Sequence, residues 1–412
     1  MKNYKRTKFA CYYSYVASAS IFSLPPLLFT HFNDAYGISY TLLGTLVAVN
    51  FCTQLGIDLI FSFFTKYFNV HKVLKVMPLL TSLGLLIYAG VPSVFPQHAY
   101  IGLLIGTVIF SVSAGLGEVL LSPTVSALPS DNPERDMSTL HSLYAYGVLI
   151  VVVFSSFFLR IFGSEYWMYL TIFWAILPII ASILFFTSPL PQMDLEHSMA
   201  SGTGKKKYVG LILCLVCIFL GSAAENTMTN WISGYTEKAL QISKFWGDLL
   251  GLTVFAVLMG LTRSWYAKYG KNITKMLLVG MIGSAGCYLT AAICSVPMIS
   301  MIACVLNGVF TAMLWPGTLI LMEEKIAGVG VAAYALMAAG GDLGASVAPQ
   351  MMGGIVDLVK GSGWAASLSS SLSMTTEQIG MKTGILITAL FPLAGIFLLL
   401  YIKRYFKRKK GI

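Results

Sequence analysis

The stretch GSAAENTMTNW, from Gly221 to Trp231, interrupts an apolar run that begins near Val209. It places a carboxylate, two carboxamides and two threonines in a segment otherwise suited to lipid. An ionisable side chain in hydrocarbon costs at least about 2.5–3.5 kcal/mol, so it usually faces a protein interior or a water-filled path. The stretch therefore indicates a functional site within a membrane-spanning helix. The alternative is a set of hydrogen-bonding groups that only hold helices together.

The composition extends this interpretation to the whole chain. Of its 412 residues, 57% are hydrophobic and only 11% are charged, whereas a soluble domain carries roughly 25% charged residues. The formal charge of +10 comes from basic residues grouped in short loops and at the termini, which favours orientation in a membrane over binding to nucleic acid. The sequence predicts an all-α membrane protein.

Apolar spans of about 20 residues, bounded by charged residues or by Gly and Pro, are typical of transmembrane helices. Twelve such spans are predicted, some with ends that are uncertain by several residues. They lie at approximately 10–32, 40–65, 73–92, 99–126, 137–161, 167–187, 208–236, 245–266, 274–294, 297–322, 328–357 and 383–404.

With twelve helices, most lysines and arginines fall on one side of the membrane, so both termini are predicted to be cytoplasmic. The polar segment 188–207 then links an N-terminal six-helix half, 1–187, to a C-terminal six-helix half, 208–412. The Ser-rich loop from Lys360 to Lys382 is expected on the opposite side and to be irregular. No separate soluble domain is indicated, and a monomer is expected.

The two halves resemble each other faintly. LLSPTVSAL in the fourth span, 120–128, matches MLWPGTLIL in the tenth, 313–321, and LYAYG at 143–147 matches LMAAGG at 336–341. Internal repeats of this kind are typical of secondary transporters, in which solute sites lie near the bilayer midplane between repeats. The sequence therefore predicts two pseudo-symmetric halves.

Glu118 lies well inside the fourth span, with no lysine or arginine nearby in sequence. A carboxyl group in low dielectric can take up and release a proton in a useful range, so Glu118 is a candidate for proton coupling. His141, which can titrate near neutral pH, and Tyr144 lie on the polar side of the fifth helix and are candidate solute contacts.

In the seventh span, Glu225 and Thr229 share one helical face, and Asn226 and Asn230 share another. A row of carboxamides beside the Trp231 indole suits a polyhydroxylated solute, because amides supply donors and acceptors while an aromatic ring covers C–H groups. Trp231 can equally be an interfacial residue. Glu225 is also a second candidate for proton coupling.

Three further acids and amides lie inside predicted helices. Asp342, within AAGGDLGASVAPQ, is a candidate solute contact. Gln54 and Asp58 share a face of the second helix near its cytoplasmic end and suggest gating.

The tyrosines of the first helix are expected at the membrane interface rather than at the site; they are Tyr12, Tyr13 and Tyr15.

The sequence lacks the motifs that are typical of several other protein classes. There is no phosphate-cradling loop with a lysine and Ser/Thr, no His/Cys cluster with metal-ligand spacing, and no legible nucleophile–base arrangement. Neither an enzyme nor a bound cofactor or metal is expected. Energy for transport would come from an ion gradient.

The fourth, fifth and eleventh helices carry a family resemblance. AGLGEVLLSPTVSALP (114–129), TLHSLYAYGVLI (139–150) and GGDLGASVAPQMMGGIVD (340–357) resemble segments of the Major Facilitator Superfamily, and within it the bacterial fucose, galactose and glucose proton symporters. The resemblance implies that Glu118 is the proton-linked glutamate. It also implies that His141 and Tyr144 stand where that branch has a glutamine and an asparagine near the sugar.

Other segments depart from that branch. The first helix has serines and Pro25–Pro26 where the symporters have an Asn-Asp pair, and Ser122 replaces their asparagine before proline. The resemblance implies a proton-coupled sugar symporter of the bacterial cytoplasmic membrane, and these departures argue against fucose as its sugar. Efflux of amphipathic compounds by proton antiport, and a membrane receptor or scaffold without transport, are the alternatives.

Overall fold

Helices make up all of the regular structure in the described part of the chain. The computed structural model describes residues 4–64, 67–131, 133–191, 205–326 and 331–407. Short 3₁₀ turns lie at Pro96–His98 and Ser164–Tyr166, and a π-helical turn at Gly247–Thr253. The α-helices are α1 Lys5–Tyr36, α2 Tyr40–Phe64, α3 Val70–Val94, α4 Ala99–Ser126, α5 Pro133–Phe162, α6 Trp167–Phe186, α7 Lys205–Lys238, α8 Lys244–Trp246, α9 Val254–Tyr269, α10 Ile273–Ile293, α11 Pro297–Thr311, α12 Leu314–Lys325, α13 Val331–Lys360, α14 Gly363–Leu372, α15 Thr376–Thr388 and α16 Leu390–Lys407.

Ten segments among the described residues are long and apolar enough to cross a membrane. The two predicted spans outside this set are α1 and α13, which are helices of 32 and 30 residues. At 1.5 Å per residue these helices are roughly 48 and 45 Å long, so they fall short in apolar character and not in length. The prediction of an all-α, multi-pass membrane protein is confirmed.

Proline explains the break in the tenth predicted span, which forms α11 and α12. Pro316 lacks a backbone N–H, and its ring crowds the carbonyl group four residues earlier, that of Ala312. The helix breaks there, between Thr311 and Leu314. The released Ala312 carbonyl oxygen instead accepts a 2.8 Å hydrogen bond from Nε of Arg263 on α9.

The chain divides into two units. The first unit consists of Met1–Ile38 and Val49–Glu196, and the second of Ser39–Ala48 and His197–Ile412. The start of α2 thus groups with the second unit, while the rest of α2 belongs to the first. The middle of the predicted linker, 192–204, lies outside the described residues, and the half boundaries drawn from the sequence remain a prediction.

Each unit has a core of apolar side chains. In the first unit, Leu74, Leu120, Leu140 and Phe185 bring α3, α4, α5 and α6 around α1. In the second unit, α7 contacts α12, α13 and α16. Gly344 on α13 allows the closest approach, because a Cβ at this position would clash with the Phe219 carbonyl oxygen of α7.

The same helix start occurs in both halves of the sequence. Asn69 caps α3 by accepting a 3.1 Å hydrogen bond from the Lys72 amide. Asn272 caps α10 by accepting a 3.0 Å bond from the Lys275 amide. The segments NVHK and NITK therefore cap their helices in the same way. In each, the Asn side chain accepts a hydrogen bond from an amide that the first helical turn leaves unpaired. This pairing supports the internal repeat.

The prediction of an irregular loop between Lys360 and Lys382 is wrong. Ser362 caps α14 through the Ala365 amide, and the helix ends at Ser373 in the left-handed region with φ of 52°. Thr375 and Gln378 then form a reciprocal capping box that starts α15. Ser362 acts as a cap, and serines inside α14, such as Ser367, donate to carbonyls of the preceding turn, so a Ser-rich composition did not mean irregular structure here.

Candidate functional site

Glu118 lies on α4 of the first unit, and it is exposed although it stands inside a membrane-crossing helix. The Tyr15 hydroxyl of α1 interacts electrostatically with the Glu118 carboxyl group. It also hydrogen-bonds with Ser122, which lies one turn after Glu118 on α4. A carboxyl, a phenol and a hydroxyl therefore share one side of the α1–α4 pair. This combination can exchange protons and can hydrogen-bond to a hydroxylated solute.

Aromatic rings extend this group toward α2 and α5. The ring of Tyr144 stands edge-on to Tyr15 and Phe22, with centroid distances of 6.3 and 5.8 Å. Phe22 in turn lies 6.4 Å from Phe51 of α2. The predicted site residue Tyr144 thus lies beside the Glu118 group. The side chain of His141, a predicted solute contact, lies outside the described residues.

The predicted gating pair on α2 lies in different surroundings. Gln54 is buried and donates to the Asn50 side chain at 3.0 Å, and Ser111 of α4 donates to the same Asn50 oxygen at 2.6 Å. This network joins α2 to α4 within the first unit. Asp58 follows one turn later and is half-buried. A gating role for Gln54 and Asp58 remains a prediction.

The polar row of α7 is held by its own helix. Asn226 donates from its amide nitrogen to Ser222, Asn230 to the Asn226 carbonyl at 2.9 Å, and Thr229 to the Glu225 carbonyl at 2.9 Å. Such bonds back to the preceding turn satisfy polar groups inside apolar surroundings. Glu225, Asn226 and Thr229 are half-buried, and Asn230 is buried.

Glu225 forms an ion pair that the sequence analysis did not predict. Nη2 of Arg263 lies 3.3 Å from Glu225 Oε1, and Nε of the same guanidinium holds the Ala312 carbonyl. Arg263, which the charge pattern groups with basic loop residues, lies inside α9. One guanidinium thus connects α7, α9 and the break between α11 and α12, and a proton that binds Glu225 must compete with it.

Trp231 packs inside the second unit. Its exposed fraction is 1%, its indole nitrogen donates a 3.0 Å hydrogen bond to the Pro349 carbonyl of α13, and its ring lies 5.8 Å from Tyr40. The indole therefore has a protein partner for its one donor. Stacking of Trp231 on a solute remains a prediction.

Asp342 lies on α13 but at a different level from Glu225. Gly340 and Gly344 of α13 contact Leu215 and Phe219 of α7, and this register places Asp342 about eight residues short of Glu225. Eight helical residues correspond to roughly 12 Å along the axis. The structure thus separates Asp342 from the Glu225–Arg263 pair along α7, and its contact with solute remains a prediction.

Two partners of the candidate acids were missed from sequence. Tyr15 was expected at the membrane interface, but it reaches Glu118 and Ser122. Its spacing of seven residues from Phe22 puts both on one helical face, and this spacing is a sequence signal that favours a shared site on this side of α1. Arg263 follows a long apolar run, and no local sequence signal pairs it with an acid 38 residues away.

Comparisons with known proteins agree with this architecture. The chain is similar to a bacterial homologue of the human lysosomal transporter Spinster, with 12% identity, a TM-score of 0.76 and coverage of 99% and 98% of the two chains. It is similar to the E. coli fucose:proton symporter, with 14% identity, a TM-score of 0.59 and coverage of 97% and 99%. It is also similar to a D-xylose-proton symporter, with 16% identity, a TM-score of 0.69 and coverage of 95% and 97%.

At these identities the structural likeness shows the fold alone. No curated protein matches the sequence. The family match is direct, because residues 11–349 fit the Major Facilitator Superfamily and span most of the chain. The protein with the exposed Glu118 and the Glu225–Arg263 pair is a transporter that belongs to the Major Facilitator Superfamily.

Proposed function

We propose that this transporter carries a sugar or a similar small polar solute together with protons, by alternating access. The observation that carries the proposal is Glu118, an exposed acid in a membrane-crossing helix beside Tyr15 and Ser122. A charged carboxylate is costly at this depth. Protonation removes the charge and turns one carboxyl oxygen into a hydrogen-bond donor.

The groups around Glu118 suit a hydroxylated solute. Hydroxyls of Tyr15 and Ser122 can donate or accept, and the rings of Phe22 and Tyr144 offer apolar faces for C–H groups. Sites for small polar ligands combine a few placed polar groups with aromatic walls. A neutral Glu118 would add a donor to this set, so solute and proton would bind better together than separately.

The second unit supplies a second acid with its own counter-ion. While Arg263 holds Glu225, the pair is electrically neutral and can remain in a low dielectric. A proton on Glu225 would release the guanidinium, which would then be free to meet a polar group of the solute. Only a difference in affinity between two states can shift a conformational equilibrium, and exchange of Arg263 between two partners would provide one.

The names of structurally similar proteins are consistent with this function and with related ones. A fucose:proton symporter and a D-xylose-proton symporter are among them, but so are a nucleoside transporter and a peptide transporter of the POT family. These solutes share hydrogen-bonding groups and a small size. We place the protein in a bacterial cytoplasmic membrane as a monomer, with both termini in the cytoplasm.

Uptake by purified protein in proteoliposomes tests the proposal. With an inwardly directed proton gradient, labelled sugars, nucleosides and peptides are offered in turn, and internal pH is recorded. We expect one class to accumulate and to acidify the lumen. Glu118→Gln should abolish gradient-driven accumulation while exchange of solute continues. Glu324→Gln, which changes an exposed acid at the end of α12, is the matched control and should behave like the wild type.

Uptake that keeps its full pH dependence in Glu118→Gln would exclude the coupling role of Glu118. The rival function is efflux of amphipathic compounds, which the cluster of Tyr15, Phe22, Phe51 and Tyr144 favours because aromatic surfaces bind apolar solutes without strict geometry. Loss of a fluorescent cationic dye from loaded proteoliposomes, with no counterflow of any sugar, would support that rival.

A further inference from the structure

Two acids surround one lysine at the C-terminal end of α7. Nζ of Lys244, on α8, lies 3.7 Å from Glu237 Oε2 on α7 and 3.6 Å from Asp248 Oδ2 in the π-helical turn. The same ammonium donates a 3.0 Å hydrogen bond to the Ser233 hydroxyl. With both acids ionised, this cluster would carry a net charge of −1.

Asp248 is the member that cannot rely on water. Its exposed fraction is 1%, and its Oδ1 atom is buried and has no hydrogen-bond partner among the described residues. The charged groups that face it are Lys244 and Glu237, and Ser233 is within hydrogen-bonding reach. An uncompensated ion in a protein interior is penalised by several kcal/mol. Lys244 supplies one positive charge for two carboxylates, so with both acids ionised one of them is left without a counter-ion.

We propose that Glu237, Asp248 and Lys244 form a proton-binding site, distinct from Glu118, in which two carboxyl groups share one proton around a single ammonium. A proton on the unpartnered Asp248 oxygen would remove the charge of this buried carboxylate and would bring the net charge of the cluster to zero. Two acids at one site commonly share a proton because both cannot ionise together.

A proton suits this cluster better than a metal ion. The Lys244 ammonium already lies within 4 Å of both carboxylates, which is the position where a cation would bridge them. No group of three or more His, Cys, Asp or Glu side chains suited to a metal ion occurs in the described residues. A proton needs only one oxygen and no coordination shell.

The proposed site can exchange its proton with water, and its charge lies on the same helix as Glu225. The Glu237 side chain is 26% exposed, so it can pass a proton between water and the buried Asp248. Glu237 lies twelve residues beyond Glu225 on the same helix, roughly 18 Å away. Binding or loss of this proton would change the charge at one end of the helix that carries the Glu225–Arg263 pair.

Infrared spectroscopy of the purified, lipid-reconstituted protein tests the proposal without any transport measurement, so its result is independent of the proposed solute. The C=O stretch of a neutral carboxyl, identified by its shift in D₂O, is integrated at pH 7. Because the proton is shared, both Asp248→Asn and Glu237→Gln should lose the signal of one carboxyl. Lys244→Met should gain the signal of one, since a second proton must then replace the ammonium.

Glu324→Gln serves as the control and should leave the band unchanged. An unchanged band in both acid variants would overturn the proposal, and a loss in Asp248→Asn alone would overturn the sharing. If Asp248→Asn fails to fold, Glu237→Gln and Lys244→Met carry the test, because their opposite signs are not produced by a general loss of structure.

Discussion

The carboxylate of Asp357, near the end of α13, accepts a 2.6 Å hydrogen bond from the backbone amide of Thr41 at the start of α2. Its other oxygen accepts a 3.2 Å bond from the Tyr40 amide. A side chain 316 positions away in sequence thus caps α2, as a local Asp or Asn caps most helices. Gly353 makes this possible, because a Cβ there would clash with the Tyr40 carbonyl oxygen.

Removal of this cap should loosen α2. We expect Asp357→Ala to destabilise the protein by about 1 kcal/mol, since loss of a capping side chain costs roughly 0.5–2 kcal/mol. Asp357→Asn keeps an acceptor and should lose less. Thermal unfolding in detergent measures the difference, with Glu324→Gln as the control. Equal stability of wild type and Asp357→Ala would mean that the contact is not maintained in solution.

Two glycines of α13 provide a matched pair for a packing test. A Cβ at Gly344 would clash with the Phe219 carbonyl, whereas nothing lies within 4 Å of one at Gly354. Gly344→Ala should therefore destabilise by about 1–3 kcal/mol, the usual cost of overpacking. Gly354→Ala should be neutral or stabilising, because alanine is favoured over glycine in helices by up to about 1 kcal/mol. Thermal unfolding of both variants is the measurement. A change in stability of the same sign in both variants would contradict the close contact between Gly344 and Phe219.

The Glu225–Arg263 pair should behave as a coupled unit. Arg263→Met leaves an acid without a counter-ion, so we expect it to destabilise more than the double variant Glu225→Gln/Arg263→Met. Residues in direct contact typically show coupling energies of about 0.5–3 kcal/mol. A double-mutant cycle on the free energy of unfolding measures this. Additive effects would show that the 3.3 Å approach contributes nothing.

Asp136, at the start of α5 and outside the apolar span of that helix, gives a pH prediction. Hydrogen bonds from Lys8 and Ser130 hold the pKa of Asp136 below its usual value of 3.8. Because the folded pKa is the lower one, the stability from this acid is complete above the unfolded value and is lost as pH falls through the folded pKa.

Thermal unfolding between pH 3 and pH 7 tests this assignment. We expect the stability gap between wild type and Asp136→Asn to be widest near pH 7 and to close below roughly pH 4, where the unfolded aspartate titrates. Lys8→Met should show the same closing gap, because it removes the cation that contacts Asp136. A gap that widens toward low pH would contradict the assignment.

The length of the apolar spans predicted the helices well, because a helix that crosses lipid must be apolar over about 20 residues. Each predicted span meets a helix, even where Pro316 divides one span into α11 and α12. α14 was missed because serine favours both loops and helix caps, and only the neighbouring residues decide which. The acids Glu118 and Glu225 were predicted as site residues from their cost in hydrocarbon.

The partners of those acids could not be predicted in the same way. Arg263 meets Glu225, and Tyr15 meets Glu118, through contacts between helices whose rotation about their axes is set by packing. Cost in lipid indicates that a polar side chain must be satisfied, but not which residue satisfies it. Asp357 shows the same limit, since an acid at the end of an apolar helix can cap any neighbouring helix start.

The matching caps Asn69 and Asn272 begin equivalent helices of the two predicted halves, as is expected if both halves copy one ancestral unit. Equivalent substitutions at the two positions should then have effects of similar size. Glu118 on α4 and Glu225 on α7 break this symmetry. They would mark positions at which the two copies diverged to take different roles in transport.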